Sequence, residues 1–149
     1  MPMVEYNALM QGSAERVWSV LKQFGEIGQW HPAISASVIE DGQPDGMVGC
    51  IRRLTLQDGG ILRERLMALD ERNMLVSYRF EEAPLPLDNY VATVKLVPLT
   101  DQDTTVVQWL ASFDTRDPDP HGLHAQSIRD LIVSGHENLQ RHLALGHAR

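Results

Sequence analysis

Two kinds of hydrophobic spacing divide this chain into strands and helices. Residues 3–11 mix apolar and polar side chains without helical spacing, which indicates a first strand. Apolar residues then recur every three or four positions along residues 13–23, with Ser13 as a good N-cap, so a short amphipathic helix is expected there. A second, shorter helical turn ends at Trp30-His31-Pro32, because proline disfavours helix at the residue before it. The longest helical pattern covers residues 121–144.

Six further segments have the apolar pattern and the flanking turns of strands. They cover residues 34–40, 48–56, 61–69, 74–82, 90–99 and 104–115. Short turns rich in glycine and aspartate join most of them, and such turns connect antiparallel neighbours. The chain is therefore predicted to be an α+β protein, with a curved seven-stranded antiparallel sheet around a long C-terminal helix and two short helices between strands one and two. Because no linker separates two units, residues 1–149 are expected to form one domain.

Alternation along each strand assigns one face of the sheet to the core. The inward residues by this parity are Val48, Cys50, Arg52, Leu54, Leu56, Leu62, Glu64, Leu66, Ala68, Met74, Val76, Tyr78, Phe80, Tyr90, Ala92, Val94, Leu96, Val107, Trp109, Ala111 and Phe113. Arg52 and Glu64 are charged residues on these apolar faces, and an unpaired buried charge is costly. Three explanations stay open: a polar group that lines a pocket, a structural ion pair, or a parity wrong by one residue.

Other candidate chemistry is sparse. His31 could transfer protons, since free imidazole titrates near neutrality, but a helix-ending turn with Trp30 packed in the core is the simpler interpretation. Cys50, the single cysteine, is expected to be a buried apolar residue. Five histidines on or near the long helix lack the spacing of a zinc protease, and no metal site is expected. They are His121, His124, His136, His142 and His147.

Composition and charge exclude some functional classes. With 43% hydrophobic and 22% charged residues, the chain has the composition of a globular protein. A formal net charge of −7 without a basic patch disfavours nucleic acid as a partner. Neither a signal peptide nor a membrane-spanning segment is recognisable, so a cytoplasmic protein is expected.

Several segments, taken in order, resemble the polyketide cyclase/dehydrase and lipid-transport family of the START-like, birch-pollen-allergen-like (SRPBCC) superfamily. They are Ser13-Ala14-Glu15-Arg16-Val17-Trp18, Gly28-Gln29-Trp30-His31-Pro32, Val48-Gly49-Cys50-Ile51-Arg52, Leu62-Arg63-Glu64-Arg65-Leu66, Ser77-Tyr78-Arg79 and Pro84-Leu85-Pro86-Leu87-Asp88-Asn89-Tyr90. The resemblance implies a helix-grip fold with a deep cavity between the sheet and the long helix. It also implies binding of hydrophobic or aromatic molecules such as lipids, sterols or polyketides.

Pocket candidates follow from this resemblance together with the inward parity. The expected ligand-binding residues are Trp30, His31, Arg52, Glu64, Tyr78, Phe80, Tyr90, Trp109, Leu131 and Leu139. Binding of a small hydrophobic or aromatic molecule, without a cofactor, is the favoured function. The alternative is a cyclase or dehydratase in which Arg52 holds an enolate or carbonyl oxygen while Glu64 or His31 moves the proton. A module that binds a partner protein, and a homodimer, also stay open.

Overall fold

The computed structural model describes residues 2–147 and, for the last of these, the backbone only. Its elements in chain order are β1 Met3–Gln11, α1 Ala14–Leu21, a 3-10 helix Phe24–Gln29, β2 Ile34–Ile39, a 3-10 turn Glu40–Gly42, β3 Ile51–Leu56, β4 Ile61–Asp70, β5 Leu75–Glu82, β6 Leu87–Pro98, β7 Thr104–Thr115 and α2 Leu123–His147. Ser13 caps α1 by accepting a hydrogen bond of 3.2 Å from the backbone N–H of Arg16.

The seven strands form one sheet in the order β1-β7-β6-β5-β4-β3-β2, and every neighbouring pair is antiparallel. The sheet curves around α2, which confirms the predicted α+β helix-grip fold. Sequence neighbours pair throughout except at β1, which returns to the last strand, while β2 forms the opposite edge. Helix α2 begins two residues later than predicted, after Asp119 accepts hydrogen bonds from the backbone N–H groups of Leu123 and His124.

Two predicted inward positions are wrong. Val48 is 57% exposed, because Gly49 takes a φ of 96° and the extended conformation of β3 begins only at Ile51. In β4 a bulge between Leu66 and Ala68 shifts the register. A bulge adds a residue to one strand and reverses the alternation beyond it, so Leu69 instead of Ala68 packs against the core.

Helix α2 also covers the outer edge of β1. The side-chain amide of Gln140 accepts from the backbone N–H of Gln11 at 2.7 Å and donates to its carbonyl at 3.1 Å. One turn earlier, His136 Nε2 donates to the carbonyl of Leu9 at 3.0 Å. These bonds satisfy backbone groups that an edge strand otherwise leaves open to a further strand.

Within residues 2–147, the largest cluster of buried residues lies where α1 and the C-terminal half of α2 meet the sheet. Met10, Val17, Phe24, Leu66 and Leu139 are almost completely buried in this cluster. No helix in residues 2–147 is both long and apolar enough to cross a membrane.

Candidate functional site

A cavity of about 110 Å³ lies between the start of β2, the inner faces of β3–β5 and the middle of α2. Its lining is mostly aliphatic and aromatic, and it consists of Ile27, Trp30, His31, Ala33, Ile34, Arg52, Leu54, Leu56, Leu62, Glu64, Tyr78, Phe80, Trp109, Leu131, Ile132 and Gly135. An apolar cavity of ~150 Å³ binds benzene, so this space suits about one aromatic ring. The partly exposed Leu131 marks its solvent side.

Arg52 and Glu64 form a buried ion pair on the cavity wall. They are direct cross-strand partners in β3 and β4, and their exposed fractions are only 4% and 5%. Arg52 Nε and Nη2 each lie 2.8 Å from Glu64 Oε1. The predicted parity is therefore right at these two positions, and the explanation that both side chains face solvent is wrong.

The guanidinium is held from three sides. Arg52 Nη1 donates a hydrogen bond of 2.9 Å to the carbonyl of Phe24 in the 3-10 helix. The guanidinium carbon lies 4.0 Å from the ring centroid of Phe24 and 4.6 Å from that of Tyr78. A desolvated cation between two aromatic faces is stabilised by the ring quadrupoles. Arg52 is thus fixed in orientation and almost completely buried.

Burial is the largest cause of the pKa shifts of the Glu64 carboxyl group and the Tyr78 phenol. Burial raises the pKa of Glu64, and the charge of Arg52 and its hydrogen bond oppose that shift. Burial also raises the pKa of Tyr78 to about 12, with a further rise from the charge of Glu64. Both Arg52 contacts use Oε1 of Glu64, and within residues 2–147 no donor bonds Oε2.

His31 stands at the junction of the 3-10 helix, β2 and α2. Its Nδ1 accepts a hydrogen bond of 3.2 Å from the backbone N–H of Ala33, so the ring proton lies on Nε2, which donates to the carbonyl of Leu131 at 3.3 Å. Burial lowers the pKa of His31, the bond to Leu131 opposes that shift, and the charge of Arg52 adds to it. His31 is therefore neutral near pH 7, with both nitrogens engaged.

The family model for polyketide cyclase/dehydrase and lipid transport proteins matches residues 1–144. The chain belongs to this family. Family and fold are consistent with the binding of a hydrophobic ligand. Within residues 2–147, no group of three or more His, Cys, Asp or Glu side chains is placed to hold a metal ion.

Solved structures from bacteria and plants share the fold over nearly the whole chain. The Bacillus cereus protein XoxI is 24% identical, with a TM-score of 0.85 over 97% of this chain and 96% of that one. A START superfamily protein from Mycobacterium smegmatis is 19% identical, with a TM-score of 0.80 over 96% and 97%. Norcoclaurine synthase from Thalictrum flavum, in complex with dopamine and hydroxybenzaldehyde, is 19% identical, with a TM-score of 0.74 over 98% and 87%. At these identities the likeness concerns the fold alone.

Two of the predicted ligand-binding residues do not line the cavity. Tyr90 lies on β6 behind Phe80, with the two rings stacked at a centroid distance of 3.8 Å. Leu139 is part of the closed core, one helical turn beyond Gly135. The other predicted residues reach the cavity wall, namely Trp30, His31, Arg52, Glu64, Tyr78, Phe80, Trp109 and Leu131. Their contact with a ligand stays a prediction.

The pattern along α2 did not predict two residues that shape this site. His136 accepts a hydrogen bond of 3.0 Å at Nδ1 from the indole of Trp109, which fixes that ring at the cavity. Gly135 allows a close approach, since a Cβ there would lie 3.1 Å from Cδ2 of His31. Glycine inside a helix costs about 1 kcal/mol relative to alanine. A glycine in the middle of a predicted helix was therefore the sequence feature that could have indicated a close contact at this position. His136 lies on the apolar stripe of α2 with Ile132, so its position could have suggested a buried polar contact.

Proposed function

We propose that this chain binds a small hydrophobic or aromatic molecule in the cavity between the sheet and α2, as a carrier or sensor. The observation that supports this most directly is the apolar cavity itself, bounded at one wall by the buried pair Arg52–Glu64. Ligand pockets are typically apolar with a few well-placed polar groups, and this lining has that composition.

The energetics of the cavity favour an occupant. Apolar wall atoms that face an unfilled space lack dispersion partners, so a cavity of about 110 Å³ that stays empty is destabilising. An apolar molecule in the cavity restores the missing dispersion contacts and removes its own surface from water. A single ring fits the space, and a longer molecule has to leave its remainder at the mouth beside Leu131.

A toluene titration followed by NMR and by thermal unfolding tests this function. We expect saturable binding that shifts resonances of Trp30 and Trp109 and raises Tm with ligand concentration. Native mass spectrometry of freshly purified protein, with organic extraction, identifies any ligand that is carried through purification.

A matched pair of variants on β4 locates the binding. Leu62→Trp places an indole in the cavity, whereas Met67→Trp places it at a position 43% exposed on the same strand. We expect the first variant to weaken toluene binding at least about tenfold and the second to bind as the wild type does. Failure of the wild type to bind toluene, or equal loss in both variants, would contradict the proposed function.

A second candidate, proton transfer on a bound carbonyl compound, is supported by the raised pKa of Glu64. In such a step the carboxylate removes a proton from the carbon beside the carbonyl to form an enolate, and it then returns a proton to that carbon. His31 fits this role less well, because both of its nitrogens already have partners.

Hydrogen exchange tests the second candidate without knowledge of the substrate. Acetophenone incubated with the protein in D₂O is expected to exchange its methyl protons faster than in buffer, and Glu64→Gln should abolish the acceleration. If the Glu64→Gln and His31→Ala variants both accelerate the exchange as much as the wild type does, the enzymatic alternative is wrong.

A further inference from the structure

Some polar atoms of the cavity wall have hydrogen-bond partners within the protein, and others do not. Arg52 directs Nε and Nη2 to Oε1 of Glu64, and Nη1 to the carbonyl of Phe24. His31 uses both ring nitrogens within the protein, and the indole N–H of Trp109 is taken by His136. Oε2 of Glu64 accepts no hydrogen bond from any donor in residues 2–147. The wall therefore includes a carboxylate oxygen that no donor in residues 2–147 bonds. Its Arg52, His31 and Trp109 donors named above already have acceptors, whereas the indole N–H of Trp30 and the hydroxyl of Tyr78 have none among the described residues.

Tyr78 adds a second polar group to the cavity wall. Its hydroxyl keeps its proton at neutral pH, since its pKa is raised to about 12. A protonated hydroxyl rotates and can either donate or accept, so it adapts to whatever group a ligand presents. The charged acceptor on Glu64 has no such freedom, because two bonds from Arg52 fix the carboxyl group.

We propose that the cavity selects neutral, one-ring molecules that carry a hydrogen-bond donor, such as phenols and anilines. This selectivity rests on the proposed function, since it concerns a ligand in the same cavity. The donor binds Oε2 of Glu64 while the ring fills the space between Leu54, Trp109 and Ile132.

The carboxylate of Glu64 disfavours two other classes of ligand, namely anions and molecules that carry only hydrogen-bond acceptors. A carboxylate ligand would face Glu64, and the cation that could compensate it, Arg52, is already neutralised by that same residue. Burying a further charge without a partner is costly, which disfavours anions in this cavity. A ligand with only acceptor atoms leaves Oε2 without a partner after water is displaced, and an unsatisfied buried polar group weakens binding.

Four one-ring probes measured by NMR titration on the unaltered protein test the selectivity. Phenol and benzonitrile are similar in size and in hydrophobicity, but only phenol donates a hydrogen bond. We expect phenol to bind at least about tenfold more tightly than benzonitrile, because hydrogen bonds to charged groups are the strong ones. Toluene should bind measurably, and benzoate should not.

A Glu64→Gln variant should reverse the preference. Its amide oxygen takes the place of Oε1 beside Arg52, so the NH₂ group replaces the free acceptor by a donor. We expect benzonitrile to bind this variant more tightly than phenol. Glu40→Gln, which alters a carboxylate paired with Arg63 outside the cavity, should keep the wild-type preference.

The outcomes separate the selectivity from the function on which it rests. Binding of toluene together with equal affinities for phenol and benzonitrile would overturn the selectivity and leave the proposed function intact. Absence of binding for all four probes would overturn both. If Glu64→Gln does not fold, the ratio of the phenol and benzonitrile affinities in the wild type decides the matter alone.

Discussion

Two arginine–glutamate pairs with similarly short contacts lie on opposite faces of the sheet. Arg63 donates from Nε and Nη2 to the two carboxylate oxygens of Glu40 at 2.7 and 2.8 Å, and these side chains are 28% and 17% exposed. Arg52 contacts a single oxygen of Glu64, Oε1, at 2.8 Å from both Nε and Nη2, and this pair is almost fully buried. Arg63 and Glu64 are consecutive in β4, so the pleat of one strand separates the two environments.

The two glutamates have opposite net pKa shifts, although the arginine partner of each acts to lower its pKa. The hydrogen bonds from Arg63 hold the pKa of Glu40 below its ordinary value. Burial instead raises the pKa of Glu64, and Arg52 only partly opposes that shift. Short contact distances alone therefore do not show how much an ion pair contributes to the stability of the fold. A buried pair depends on both members, because a remaining partner would be an uncompensated charge out of water.

The largest effect is expected from Arg52→Met. This change leaves the carboxylate of Glu64 buried without its cation, and loss of one member of a buried pair costs about 3–5 kcal/mol. Urea denaturation at pH 7 measures the loss. A cost below about 1 kcal/mol, comparable to that of an exposed pair, would contradict the distinction between the two faces.

The same variant has a pH signature. Without Arg52, burial alone raises the pKa of Glu64 in the folded state above its unfolded value. The folded state then binds more protons than the unfolded state, so the variant loses stability as pH rises. We expect its deficit relative to wild type to shrink between pH 8 and pH 5. A deficit independent of pH would mean that Glu64 is not the group left charged.

Replacing both members of the buried pair should cost much less than replacing one. Arg52→Met with Glu64→Leu substitutes apolar side chains for the two charges, a change that is often neutral or stabilising by ~1–4 kcal/mol. We expect the double variant to recover most of the stability lost in Arg52→Met. The double-mutant cycle gives the coupling energy, and additive losses would show that the two residues act independently.

A buried uncharged contact should respond to pH in the opposite direction. Burial lowers the pKa of His136, so its contribution is present above its unfolded pKa of about 6.5 and is lost as pH falls through the folded value. Gln at this position can occupy the same space without titrating. We expect wild-type unfolding free energy to fall below about pH 6.5 and His136→Gln to flatten that decline, measured by urea denaturation across pH 5–8. Parallel curves would exclude His136 as the titrating group.

The smallest effect is expected from Arg63→Met on the outer face. Water and salt already screen Glu40, so removal of its partner should change the denaturation midpoint little. The residual difference should shrink further at high salt, where the buried pair is hardly affected. A loss as large as that of Arg52→Met would overturn the comparison.

Local patterns were sufficient for most of the fold, and they failed where the backbone departs from regular geometry. Both β1 and β7 have the predicted bounds, because turn residues and changes in hydrophobic spacing mark where each of them ends. The bulge beside Met67 and the positive φ of Gly49 have no comparable signature in one sequence. The bulge made the predicted inward position of Ala68 wrong, and the conformation of Gly49 made that of Val48 wrong.

The site was less predictable, because it depends on where α2 lies against the sheet. Parity alone placed Arg52 and Glu64 on one face, since both belong to paired strands. Parity could not tell that Leu139 meets the closed core, because the axial position of a helix depends on packing contacts distant in sequence. The carbonyl of Phe24 was beyond prediction for the same reason: any backbone can supply an acceptor, so no residue type marks one.

The bonds from α2 to β1 restrict how the cavity can open. Lifting the helix would break the contacts of Gln140 with Gln11 and of His136 with Leu9, and would expose an edge that recruits other strands. The turn at His31 is tied to the helix by one side-chain bond to Leu131. The helix that covers the cavity thus also protects the β1 edge from pairing with other strands, and we expect a ligand to enter beside the turn at His31, where fewer bonds have to break.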